Sequence, residues 1–274
     1  MPLSSYANDF ETLYELYNRR RFVHPDPLEM VLLYDDPGDR EVVGLIASIL
    51  AYGRVQQILR SVATALRPMG LHPAQYLRDA TAVQVGRDFA GFRHRFSTGD
   101  QLAALLMGVK RMTRLYGSLR EFFVSAMFDS DDNVLAALQS FVSGLAVAAC
   151  APVGHLLSEP DKGSACKRLN LFLRWMVRCD DVDPGGWDEV PTCKLVVPLD
   201  THMHRICLAL GATRRPVADL RTAVEITEAF RRIAPQDPVK YDFALTRLAI
   251  HPDACAAAAF CLPKEVMGHV AVPA

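Results

Sequence analysis

The chain has 274 residues, half of them apolar, and its 30 Lys and Arg face 31 Asp and Glu for a formal net charge of -1. That length and apolar share suffice for one large core or two modest ones, which excludes extensive disorder. The near-zero net charge gives no global sign of a polyanionic partner, so any affinity for nucleic acid has to rest on local charge.

Apolar residues recur at helical spacing nearly everywhere, which predicts an all-α fold. In chain order the expected helices are 5–21, 27–34, 39–52, 55–69, 73–79, 100–116, 118–128, 133–150, 164–178, 201–210, 220–234 and 238–250. Asp200 and Asp219 are expected N-caps, and Pro238 is expected at a first helical position. Only Lys194 to Val197 reads as strand, and it is too short for a sheet. The tail after Pro263 is expected to fray.

The first residues lack the basic start, apolar stretch and small-residue cleavage site of a secretory signal. Charged residues interrupt every candidate span, so a cytoplasmic protein without a membrane role is expected. The seven cysteines are widely spaced with no C-x-x-C pair, and read as free thiols rather than a zinc or iron–sulfur site. No cofactor or metal is expected, nor any phosphate-binding loop, Gly-x-Ser-x-Gly elbow or dinucleotide fingerprint.

Two irregular stretches, 152–163 and 179–199, bracket the helix expected at 164–178, and function is expected there. Lys162, Lys167, Arg168, Arg174 and Arg178 fall in that region with no acid between them. Gly163 is expected to turn the chain and Ser164 to cap the helix, which puts Lys167 in the first turn, against the helix dipole. An amine attacks carbon only when neutral, and lysine side chains with a reference pKa near ~10.4 hold their proton at pH 7. The reading therefore expects Lys167 to be partly desolvated beside the charges of Arg168 and Arg174. Asp200 follows a proline turn at another helix start. Taken alone it reads as a plain N-cap, although a carboxylate fixed by amides in a cleft could also stabilise developing positive charge.

Lys167-Arg-Leu-Asn170, taken together with Pro198-Leu-Asp-Thr-His-Met-His-Arg-Ile206, resembles the helix-hairpin-helix superfamily of base-excision DNA glycosylases. The 33-position gap from Lys167 to Asp200 is closer to the archaeal 8-oxoguanine glycosylases than to the endonuclease III branch, and residues 167–178 and 235–245 also resemble an uncharacterised bacterial family related to them. The resemblance implies two helical lobes with a catalytic cleft between them, 41–178 forming one and 1–40 with 179–274 the other. It further implies a monomeric glycosylase and abasic-site lyase acting on double-stranded DNA with a damaged base, an oxidised purine such as 8-oxoguanine. Lys167 would form the Schiff base and Asp200 would assist. Lys162, Gly163, Ser164, Arg168, Arg174 and Arg54 would contact DNA; Trp175, Asp237, Tyr241 and Asp242 are candidates for base recognition, with core the favoured reading of Trp175, and Tyr52, Arg54 and Gln56 are candidates for insertion or base contact. The superfamily's Leu-Pro-Gly-Val-Gly hairpin is replaced by Glu159-Pro-Asp-Lys-Gly-Ser-Ala165, and the iron–sulfur cysteines of some branches are missing.

Two other classes stay open at this point. One is a helical protein that binds nucleic acid without catalysis. The other is a metal-dependent hydrolase using Asp200, His202 and His204, although residues two apart on a helix point to different faces.

Overall fold

A computed structural model describes residues 3–250 and, of 248–250, the backbone alone. The expectation for the tail after Pro263, together with Cys255 and Cys261, lies outside the described residues. The helices are α1 (Ala7–Tyr17), α2 (Leu28–Val31), α3 (Pro37–Ile49), α4 (Val55–Leu66), α5 (Pro73–Asp79) and α6 (Ala82–Phe89). A two-stranded hairpin, β1 (Arg93–His94) and β2 (Ser97–Thr98), precedes α7 (Gly99–Tyr116), α8 (Leu119–Val124) and α9 (Leu135–Ala149). The remainder are α10 (Lys167–Val177), α11 (Thr201–Ala209), α12 (Leu220–Arg231) and α13 (Asp242–Ile250). The chain is thus mostly helical, as its periodicity requires.

Caps set several boundaries. Asp200 and Asp219 are N-caps as expected, their carboxylates accepting backbone N–H groups of the next turn. Thr98 and Gln101 form a reciprocal capping box at the head of α7. Pro238 does not open a helix, because the chain turns over 237–240 and the last helix begins at Asp242. No strand forms at 194–197. A short 3-10 turn covers Thr192–Lys194, and the buried Val197 N–H donates to Thr227 Oγ1 at 3.0 Å instead of to a neighbouring strand. α6 was not expected. Thr81 caps it by accepting from Gln84 N at 3.2 Å, and Val85 and Phe89, one turn apart, supply its buried face.

The chain divides into two compact units: 1–24 with 163–185 and 190–274, and 25–162 with 186–189. The resemblance implies a lobe that ends at 178. The boundary falls instead at 162/163, which puts α10 in the same unit as Asp200, since buried ion pairs tie α10 to α13 within that unit.

In the unit formed by 25–162 and 186–189, α7 is the central helix, packed against α6, α8 and α9. Gly108 lets α7 approach α9 closely, since a Cβ there would lie 2.7 Å from the Leu145 carbonyl oxygen. Glu41 of α3 is a buried carboxylate surrounded by donors. It accepts Leu119 N at 2.8 Å, Arg120 N at 3.2 Å and Trp187 Nε1 at 3.0 Å, and burial raises its pKa above the ordinary 4.5. The stability linked to that proton is fully present below pH 4.5 and declines as pH rises through the higher folded value. Glu41→Gln would set an NH2 group against the Leu119 N–H. It is expected to cost about 1–3 kcal/mol in urea unfolding at pH 7 and to erase that part of the pH slope. Wild-type stability in the variant would contradict this account of the clasp.

In the other unit, α1 and α11 pack on α13. Phe10, Phe230 and Tyr241 form an aromatic cluster, with Phe10–Tyr241 centroids 5.4 Å apart.

Candidate functional site

The segment leading into α10 is tightly specified. Gly163 takes φ 76, and its carbonyl accepts Leu220 N at 3.0 Å. Ser164 Oγ accepts Cys166 N at 3.2 Å, so Ser164 shapes the turn and does not cap the helix, which begins three residues later than expected. Cys166 is left-handed at φ 47, a conformation that costs a non-glycine residue on the order of 1 kcal/mol or more. What holds it there is burial of the Cys166 side chain and a buried hydrogen bond at 3.0 Å from Asn170 Nδ2 to the Ala165 carbonyl. Lys167 is therefore the first residue of α10, placed by a strained turn that Asn170 clamps from inside the helix.

The Lys167 side chain is half-buried, and its amine makes no hydrogen bond or ion pair among the described residues. Asp200 in the same unit is also half-buried. Its Oδ1 accepts His202 N at 2.9 Å and Met203 N at 2.8 Å, which fixes the carboxylate. Oδ2 accepts no hydrogen bond among the described residues, which leaves it available for chemistry. A third group joins them. The buried Asp242 carboxyl feels the charges of both Lys167 and Asp200, and burial raises its pKa above the usual carboxylate value. The Cys207 thiol, pushed up by burial, feels Asp200 and Asp242 as well.

Asp242 lines a crevice with Val197, Met203, Phe230, Pro238 and Tyr241, too narrow to hold a water. Its Oδ2 pairs with Arg174 Nη1, while its Oδ1 is buried without a partner. Arg174 also reaches Asp183 Oδ1 through Nε at 3.2 Å and Nη2 at 3.1 Å. Arg178 closes the network on Asp183, on Asp180 at 2.9 Å and on Asp237 at 2.9 Å. The result is a chain of two arginines and four aspartates, with both arginines, Asp183 and Asp242 buried, that ties α10 to α13 and to the turn after α10.

This network corrects several expectations. Arg174 is not a phosphate contact or a source of uncompensated charge beside Lys167, because it is 3 % exposed and neutralised by two carboxylates. Trp175 is fully buried and belongs to the core, the reading favoured for it from the sequence. Tyr241 is also buried and donates its hydroxyl to Glu11 at 2.6 Å, so its ring is no stacking platform. Asp237 and Asp242 serve the arginines, each through Oδ2 and each with a buried Oδ1 that has no partner. Of the basic run, Lys162 is exposed and pairs with Glu159 at 2.6 Å, and Arg168 is half-exposed. The decisive acid, Asp183, was missed. Its signal was the Asp180-Asp-Val-Asp183 turn directly after a helix ending in two arginines one turn apart.

His204 is buried with Nε2 on the Arg215 carbonyl at 2.8 Å, which takes it away from Asp200. Among the described residues no three His, Cys, Asp or Glu side chains converge as a metal would need, and no helix is long and apolar enough to cross a membrane.

In the other unit, Tyr52 is tied down, its hydroxyl donating to the His94 carbonyl at 2.9 Å and lying 2.8 Å from Ser97 Oγ. Tyr52 is thus a strut and cannot be the inserting side chain. Arg54 and Gln56 are exposed at the head of α4.

Fold and site together define a helical protein of two compact units, one of which carries Lys167, Asp200 and Asp242 at the starts of α10, α11 and α13, with both Lys167 and Asp200 acting electrostatically on Asp242. Residues 26–251 match the family described as "Protein of unknown function (DUF2400)", and the chain belongs to that family. No curated protein and no solved structure matches the chain significantly.

Proposed function

We propose that this protein is a base-excision DNA glycosylase with abasic-site lyase activity and a helix-hairpin-helix glycosylase-like fold, acting on double-stranded DNA that carries an oxidised purine such as 8-oxoguanine. The observation that carries the reading is the arrangement in a single unit of an uncommitted Lys167 amine and an Asp200 carboxylate fixed by two amides, both felt by buried Asp242. The motif resemblance supplies the reaction class.

In this reading the lesion leaves the base stack, because C1′ is not accessible within a duplex. Lys167 Nζ in its neutral form attacks C1′, the C1′–N bond breaks, and the base departs with that bond's electron pair and takes up a proton. Asp200 stabilises the positive charge on the sugar and accepts the proton that the lysine nitrogen loses. The sugar ring opens to an imine, loss of a C2′ proton follows, and the 3′ phosphate leaves. The α10 N-terminus supplies amides and a partial positive charge for a flanking phosphate, with Gly163, Ser164 and Arg168 beside it.

The test is strand cleavage. Wild-type protein should nick duplexes carrying 8-oxoguanine or an abasic site, and Lys167→Gln should not. Duplex binding without cleavage by either form would favour a non-catalytic nucleic-acid-binding protein.

A further inference from the structure

The hairpin β1–β2 presents an aromatic side chain that the core does not use. Its register pairs Arg93 with Thr98 and His94 with Ser97, which leaves Arg95 and Phe96 as the two-residue tip. Phe96 is 67 % exposed. The Arg95 guanidinium lies over its ring at 5.7 Å, and the His155 ring meets it edge-on at 6.2 Å.

The tip is rigid. Tyr52 bonds both strands, and buried His94 places its ring nitrogens 2.8 Å from Ser61 Oγ and 3.1 Å from the Tyr52 carbonyl oxygen. Arg95 is held at φ 50, which is uncommon for an arginine. Gly53, at φ 99, makes room for it, since a Cβ there would lie 2.9 Å from Arg95 Nη1. An exposed aromatic ring fixed on a braced hairpin keeps its apolar face in water, at a cost that a base could recover by stacking on it.

Charge favours such a partner. Arg54, Arg93 and Arg95 are exposed and make no ion pair among the described residues. Of the acids nearest in sequence, Asp88 is committed to Tyr76 and Arg87, and Asp100 stands in the first turn of α7 without an ion pair to these arginines. A polyanion with stackable rings is the complementary ligand.

We infer that Phe96 is a wedge that stacks into duplex DNA at an unpaired or abasic step, with Arg54, Arg93 and Arg95 on the flanking phosphates. For its partner alone the inference rests on the DNA reading above, and it replaces Tyr52 and Gln56 as the inserted residue. A rigid apolar ring entering the stack holds the gap open where a nucleotide has left.

The test is a titration of the full chain with duplex DNA carrying 2-aminopurine beside an abasic site. Wild type should change the 2-aminopurine emission on binding. Phe96→Ala should lose that change and bind roughly 5- to 150-fold more weakly. Phe96→Trp should restore both, and removing one arginine should reduce the slope of log K against log salt by about one. Phe96→Ala binding within about twofold of wild type with an unchanged emission response would overturn the inference, as would a wild type that does not bind the duplex. Borohydride trapping at Lys167 in the same samples separates the two readings. A trapped band with an inert Phe96 leaves the glycosylase standing, and stacking without a band leaves the wedge standing.

Discussion

Arg174→Ala should cost about 3–5 kcal/mol of stability, the usual effect of removing one partner from a buried ion pair. Arg174 is the ion-pair partner of Asp242 Oδ2, and it shares Asp183 with Arg178, so its loss leaves one buried carboxylate without that partner and a second half-compensated. For a chain of this size that corresponds to a fall in melting temperature of roughly 6–20 °C. The sign with pH is fixed. Burial already raises the folded pKa of Asp183 and Asp242 and Arg174 opposes it, so both carboxyls should rise further in the variant. A carboxyl with a raised folded pKa gives stability that is present below its unfolded pKa and lost as pH rises through the folded one. The gap between variant and wild type should therefore narrow as pH is lowered toward ~4. Thermal melts across pH check this, and a loss under about 1 kcal/mol at pH 7 would show that the network contributes little.

Asp200→Asn separates capping from chemistry. Asparagine is as good an N-cap as aspartate, so the His202 and Met203 amides keep their acceptor and stability should shift by only a few tenths of a kcal/mol. The charge and the proton acceptor are gone, so the single-turnover rate of strand cleavage should fall roughly 10²- to 10⁴-fold. A rate within about threefold of wild type would reduce Asp200 to a helix cap.

The helices were legible because apolar spacing and caps agree, as at Asp200 and Asp219, where the acid precedes a periodic run and accepts its amides. The candidate site was picked out through its motif. Lys167 and Asp200 are distant in sequence, and only the paired segments joined them. What stayed hidden depends on long-range pairing. Arg174 was not read as buried because one partner, Asp242, is 68 positions away, and the nearer one, Asp183, lies in a turn nine positions on whose acids were not matched to the arginines. The basic run therefore read as a phosphate face. The hairpin was missed because strands of two residues carry no period. Phe96 was missed with it, although Arg-His-Arg-Phe was the available signal.

The central claim is that Lys167 becomes covalently joined to DNA. The most direct measurement is borohydride reduction of the protein on an abasic or 8-oxoguanine duplex, followed by mass spectrometry of the peptide that carries the sugar adduct. The account predicts a covalent band whose adduct maps to Lys167 and which disappears in Lys167→Gln. An adduct on another lysine, or no band on either duplex while the protein stays folded, would contradict it.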